Sequence, residues 1–391
     1  MSDFVKNYQV FAMTTDPVYI GTGGYTIGRV DNTIVRDPIT NVPKIPGSSL
    51  AGVWRYYAVL EIFSKIKDKK PKREDILKRS GRTIKDKIDN WINPPDANGE
   101  DTNGKWDTSK WYFFKGNTLL EINCAGQDNT PQEELSNIVA KNKEGRTGHC
   151  GYCLVCKGFG FSKKDISWQG MIYFSDLNIL FFPVFTMYGT RWITTVERLK
   201  EAGLNSNNSS PAGNKVLTKN GNEGHINLGW LYLEVDKQQH SVSLNNNIQF
   251  GNFQLNDEDI VIVPDNLFSQ IVNSNLEIRT SVSIDPITGA AKEGALFTSE
   301  AIPRGTILYG NIRIFDKKSF VGIDNKLEPL PSIDELECAL KESKHFFETL
   351  GIGGMTTRGF GRLKIQIEEI KNKNCDKTSP SPSGSGSQNN Q

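Results

Sequence analysis

Charge of one sign is what this chain most conspicuously lacks. Lys and Arg number 46 against 45 Asp and Glu, a formal net charge of +1 over 391 residues. A globally basic field is therefore excluded, and any contact with a polyanion must come from local patches or backbone amides. Histidine is scarce, with four in the whole chain, and no Ser or Cys nucleophile sits in a recognisable motif beside one. No apolar run is long enough to span a bilayer, and the N-terminus MSDFVKNYQVFAMTTDP has no charged-then-apolar leader pattern. The expectation is a cytoplasmic chain without membrane association. Neither G-x-G-x-x-G nor G-x4-G-K-[ST] fits Gly21, Gly23 and Gly28, so the common nucleotide-enzyme loops are absent too.

What is present is concentrated. Gly21 to Arg55 combines glycines, one early acid (Asp31), a Pro-Lys-Ile-Pro hinge and a Gly-Ser-Ser helix entry. Glycines allow close backbone approach, and a helix N-terminus offers unpaired N–H groups to an anion, so the stretch reads as phosphate-facing. The following helix, about 49–66, places Leu50, Val53, Trp54, Tyr57 and Leu60 on one apolar face, with Arg55 off it. Residues 65–89 carry 11 basic against 5 acidic residues, which suits either a solvated helix face or a nucleic-acid contact.

Six cysteines would suit disulfides in a secreted chain, but nothing points to secretion, and Cys150, Cys153 and Cys156 form a C-x2-C-x2-C run. Thiolates at that spacing converge on one tetrahedral ion, and Cys124 is the best fourth ligand; His149, adjacent to Cys150, is harder to aim at the same metal. Structural zinc is the leading reading, with buried free cysteines and an iron–sulfur cluster as the alternatives.

Strands are expected at 8–20, within 171–184, at 229–235, 260–263, 306–315 and 363–370, and a second helix over 332–350 with Ser332 as N-cap and Gly351 as its stop. The aromatic and hydroxyl-rich segment 185–195, which includes Arg191, suits an ordinary core face better than base stacking. Asp285 to Gly289 is a turn between extended arms, and 351–362, with five glycines, Arg358 and Arg362, reads as a backbone-donor loop or a flexible connection. The order of elements fits an α+β fold of ferredoxin type interrupted by insertions. The expected organisation is a first core part (1–64) with the acid-bearing loop, a basic and cysteine-bearing insertion (65–165), core strands (166–200), a second insertion (201–274), a second core part (275–370) and a disordered tail (371–391).

Several of these motifs together resemble the backbone subunits of type III CRISPR complexes in the RAMP superfamily: Val30-Asp31 through Arg36-Asp37-Pro38, Pro43 to Leu50, Phe174-Ser175-Asp176, Glu293 to Phe297 with Glu300 and Pro303, and Gly353-Gly354 to Gly361-Arg362. The cysteine cluster looks like that of the zinc-bearing type III-D and III-E relatives. The resemblance implies an RRM-like core on guide RNA (crRNA), a thumb within 201–274 that kinks the guide–target duplex, and partner subunits including a Cas10-type protein. It further implies metal-dependent endoribonuclease cleavage of target RNA, with Mg2+ or another divalent cation, at Asp31. Lys44, Ser48, Ser49, Arg55, Arg191, Arg358 and Arg362 are the expected RNA contacts. A non-cleaving structural subunit is the alternative. Asn32-Thr33 after the aspartate departs from the commonest family pattern.

Overall fold

The computed structural model describes residues 4–23, 30–65, 73–83, 86–87, 90, 112–115, 118–121, 124–125, 149, 153–163, 166–204, 209–221, 224–240, 242, 244, 248–317 and 330–370. Cys150 and the tail 371–391 lie outside them, as do much of the basic segment and most of 91–148.

The fold is mixed α+β. Its centre is strand β1 (Val5–Thr14), whose sequence VKNYQVFAMT does not alternate cleanly because both faces become buried from Val10 onward. β1 is flanked by two antiparallel partners from the far end of the chain: β8 (Ile307–Phe315), with Val10 opposite Gly310, and β9 (Leu363–Glu369), with Val10 opposite Ile367. Beyond β8 lies β3 (Leu177–Thr186), then β4 (Gly189–Thr194), then β5 (Ile260–Ile262), giving the order β5-β4-β3-β8-β1-β9. Only the β4–β5 contact along this path is parallel. β2 (Ile172–Phe174) pairs with β8, and Lys44–Ile45 pairs with β3.

The strand expected over 8–20 stops at Thr14. Pro17 has no N–H for a ladder, and Thr15 to Ile20 instead runs over the glycine-rich loop, Gly354 and Gly361 donating to the carbonyls of Tyr19 and Pro17.

One sheet face carries the two long helices. In α1 (Gly47–Lys65), Leu50, Trp54, Tyr57, Ala58 and Val59 are buried. α2 (Leu154–Phe159) packs beside it. Trp54 is wholly enclosed: its ring meets Phe347 edge-on at 5.1 Å, and its indole N–H donates to Leu340 O and Ser343 Oγ at 3.3 and 3.1 Å. Each large side chain buried here contributes about 1.5–3 kcal/mol.

The opposite face is covered as well. Phe11, Met13, Leu180 and Phe181 pack under Val196 and Leu199 of α3 (Val196–Glu201), with Val242, Ile248, Phe250 and Leu255 completing the layer. Phe11 is only 1% exposed, so the centre of this face is closed to stacking bases.

Segment 201–274, where a thumb is expected, supplies β5 and α4 (Asp265–Ser274), and Phe268, Ile271 and Val272 are buried. A further two-stranded element lies just beyond it. β6 (Glu277–Ile284) and β7 (Ala291–Ala301) form a two-stranded antiparallel hairpin that pairs with no other named strand, and Val282, Ile284, Ile287 and Leu296 on it are exposed. α5 (Ile333–Ser343) opens with a capping box in which Ser332 and Glu335 satisfy each other's backbone amides. Cation–aromatic contact and the last glycines then lead into β9.

Candidate nucleic-acid interface at the hairpin base

Three features meet at the root of the β6–β7 hairpin, two from the 31–36 stretch and one from the 351–362 loop. The first is the loop carrying Asp31. Its exposed carboxylate accepts two hydrogen bonds on Oδ2, from the Thr298 amide at 2.7 Å and the Thr298 hydroxyl at 3.0 Å, while the Asp31 amide donates to the same hydroxyl oxygen at 3.2 Å. These bonds hold the Asp31 carboxyl below the usual carboxylate range. Asn32 continues the zipper, donating to Thr298 O at 3.0 Å and accepting from the Glu300 amide at 3.0 Å. Oδ1 has no hydrogen-bond partner among the described residues.

The second is Arg36, whose guanidinium pairs with Glu300 at 2.8 Å and donates to Asn273 Oδ1 at 2.9 Å and to Ile34 O at 3.0 Å. The third is the glycine-rich loop. Arg279 of β6 lies over the Phe360 ring at 4.6 Å and donates to Gly359 O at 3.0 Å. That loop is built for close packing: at Gly353, with φ +86°, a Cβ would stand 2.2 Å from Tyr19 O. It is not a flexible connection, and several of its amides are taken by the protein's own carbonyls.

The helix entry departs from the phosphate-facing expectation. The first amide of α1, Gly47, donates to Asp176 Oδ1 at 2.8 Å, and Lys44 bridges Asp176 at 2.7 Å and Asp37 at 3.2 Å. A carboxylate of the Phe-Ser-Asp motif thus fills the anion position at the positive helix end. Burial pushes the Asp176 carboxyl up, but Lys44 and the Gly47 amide outweigh it and hold it below the usual range. Ser48 is exposed and Ser49 half-buried.

Arg55 requires a correction. Expected at an RNA surface, it is 8% exposed and points into the cysteine cluster, donating to Cys124 O at 2.6 Å, Gly160 O at 2.5 Å and Cys156 Sγ at 3.6 Å. It also meets His149 Nδ1 at 2.8 Å. Sequence reasoning missed this because nothing local marks the contact; Cys124 and Gly160 lie 69 and 105 residues away. Arg191 is tied to Glu258 O and to Asp259 at 3.2 Å, and Arg362 to Asp16 at 2.7 Å. Arg358 is exposed on a one-turn 3-10 helix.

The cysteines do converge. The Sγ atoms of Cys124, Cys153 and Cys156 lie within 4.8 Å of one another and all three residues are buried. Cys153 caps α2, its sulfur accepting from the Cys156 amide at 3.3 Å. Cys124 reaches the group through a left-handed φ of +73°. Its donor set fits a thiophilic ion such as zinc. Among the described residues this is the one cluster of three or more metal-ligating side chains, so no second carboxylate or histidine joins Asp31 in such a group.

A cleft of about 440 Å3 on another flank is lined by Asp37, Glu197, Glu201 and Asp265 with Arg198 as its single cation. Its acidity disfavours a phosphate backbone.

The structure is thus a mixed α+β body carrying a two-stranded hairpin, with an aspartate, Arg36 and one glycine-rich loop at its root. The family model of the RAMP superfamily matches residues 11–364, and the chain belongs to that superfamily. It is 43% identical over 61 residues to the CRISPR system Cms endoribonuclease Csm3 of Streptococcus thermophilus, covering 16% of this chain and 28% of that protein. It is 28% identical over 113 residues to the CRISPR system Cmr endoribonuclease Cmr4 of Pyrococcus furiosus, covering 29% and 34%. The chain spans about a third or less of the length of these curated relatives. Among solved structures, the oligomeric Cmr4 of P. furiosus aligns over 94% of this chain and 99% of its own at TM-score 0.45 and 18% identity. The apo type III-B Cmr-beta complex aligns over 93% and 97% at TM-score 0.48 and 13% identity. No helix among the described residues is long and apolar enough to cross a membrane.

Proposed function

We propose that this chain is a guide-RNA-binding backbone subunit of a type III CRISPR effector complex and that it cleaves target RNA at Asp31. The observation that carries the reading is the placement of Asp31: an exposed carboxylate, gripped on Oδ2 by Thr298, at the root of a long two-stranded hairpin that stands apart from the main sheet. The hairpin, rather than 201–274, is the element suited to separate bases along a duplex, because Ile284, Ile287 and Leu296 expose apolar side chains with no protein partner layer.

The strand order β9-β1-β8-β3, all antiparallel and carrying α1 and α5 on one face, supports a ferredoxin-like (RRM-like) core with insertions. With the open sheet face covered, RNA would run along loops and the hairpin, where Ser48, Ser49 and Arg358 remain available. Lys44, Arg191 and Arg362 would first have to leave carboxylate partners. Such backbone contacts position RNA without reading it, so pairing to the guide supplies sequence choice. Complexes of this kind would bring a Cas10-type partner and a cytoplasmic setting.

In the cleavage step the ribose 2'-hydroxyl would give its proton to water and its oxygen would bond to the adjacent phosphorus as the bond to the 5'-oxygen breaks, that oxygen taking a proton from water, leaving a 2',3'-cyclic phosphate and a 5'-hydroxyl. One carboxylate oxygen fits a divalent cation that keeps most of its waters; when bound by Asp31, Mg2+ would supply charge neutralisation at the scissile phosphate. At the other site, Cys124, Cys153 and Cys156, with Cys150 as fourth ligand, would hold a structural zinc.

A non-cleaving structural role is the second reading, favoured by Asp31 belonging to no group of three or more metal-ligating side chains among the described residues. Asp31→Asn in the reconstituted complex separates the two. Loss of target-RNA cuts with assembly intact supports cleavage here; an unchanged cleavage pattern assigns the chain the structural role.

A further inference from the structure

We propose that Thr298 is the positioning residue of Asp31: its hydroxyl and amide together clamp Oδ2 and so aim Oδ1 outward from the hairpin root. This rests on the reading of Asp31 above. The hydroxyl is used twice, donating to the carboxylate at 3.0 Å and accepting from the Asp31 amide at 3.2 Å. The amide of the same residue adds the 2.7 Å bond. An aspartate on a loop has two free side-chain torsions. Two donors from one rigid strand residue fix both, and β-branching restricts the threonine's own χ1. Two backbone bonds keep the two segments in register, Asn32 N to Thr298 O and Glu300 N to Asn32 O, each 3.0 Å, beside the Thr298 amide's bond to the carboxylate.

The arrangement makes the hairpin and the carboxylate one mechanical unit. Thr298 sits three residues from the end of β7, half-buried, and touches Asp31 without facing the reacting atoms. It acts through Asp31. Removing its hydroxyl leaves the carboxylate on a single amide bond about which it can swing, and a displacement near 1 Å costs on the order of a hundredfold in rate.

The test uses the complex reconstituted with guide RNA and partner subunits, comparing wild type, Asp31→Asn, Thr298→Val and Thr298→Ser. Valine keeps the β-branched shape and the backbone bonds but lacks the hydroxyl; serine keeps the hydroxyl. Thr298→Val is expected to lower kcat for target cleavage about 10- to 100-fold with KM within about twofold of wild type, and Thr298→Ser to restore kcat to within about threefold. A Thr298→Val complex with wild-type kcat beside an inactive Asp31→Asn complex overturns the positioning role alone. A raised KM at unchanged kcat makes Thr298 an RNA contact and also overturns it. If Asp31→Asn cleaves normally, the reading of Asp31 fails and this one with it. Should valine disturb the strand, Thr298→Ala carries the same expectation; failure of both variants to assemble identifies a purely structural residue and overturns the assignment.

Discussion

Replacing Arg55 separates two incompatible roles for one residue. At an RNA surface, Arg55→Ala would weaken RNA binding and leave the fold alone. In the structure its guanidinium serves Cys124 O, Gly160 O and His149 Nδ1 and reaches Cys156 Sγ, all in a buried setting. Truncation leaves two carbonyls and a ring nitrogen without that donor. Each such group costs about 1–3 kcal/mol when unsatisfied. Allowing water to enter part of the space, we expect a loss of about 3–5 kcal/mol, a large share of the roughly 5–15 kcal/mol by which domains are stable. The urea midpoint of the purified chain reads this directly. Arg55→Lys should fall between, because an ammonium keeps the charge but cannot fork to two carbonyls. If Arg55→Ala leaves the midpoint unmoved while RNA affinity drops about tenfold, the buried-anchor reasoning is wrong.

Elemental analysis of the purified chain should find one zinc, and Cys153→Ser or a strong chelator should remove it and lower the thermal midpoint, since metal binding to such a site is folding free energy; a zinc-free chain with unchanged melting would dismiss the site. Gly353→Ala should cost at least about 2 kcal/mol, because a left-handed φ is strained for alanine and its Cβ would press on the Tyr19 carbonyl. Urea titration showing no loss would mean the loop relaxes freely.

Local chemistry was enough to read several elements. Ser332 before an acidic turn is a helix start on its face, and the capping box is there. Gly351 stops the helical region with φ +80°, and the strand from Leu363 follows. The expected helix at 49–66 differs from the observed one by about a turn at most. The Asp285–Gly289 turn between extended arms is also present, with the Asp285 side chain accepting from the Ile287 amide at 2.8 Å. What periodicity could not reveal was where those arms go. An exposed hairpin and a core hairpin carry similar turn signals, and only the lack of a third paired strand distinguishes this one. The same limit hid Asp176 at the α1 entry: an acid 129 residues from Gly47 leaves no trace in the helix's own sequence. Asp31 could be picked out as a candidate through the motif around it, whereas its contact with Thr298 could not, because a threonine in a strand is ordinary.

The position of β1 sets a timetable. Both of its sheet neighbours, β8 and β9, are translated some 300 and 360 residues after it. At about 5–20 residues per second, β1 waits on the order of 20 seconds or more with both edges unpaired. Contacts of such long range make closure slow. Asp31 meets Thr298, and Arg279 meets the loop that ends at Arg362, only after that wait. A chain cut short before β9 would contain every residue named in the site but leave one edge of the central strand unpaired.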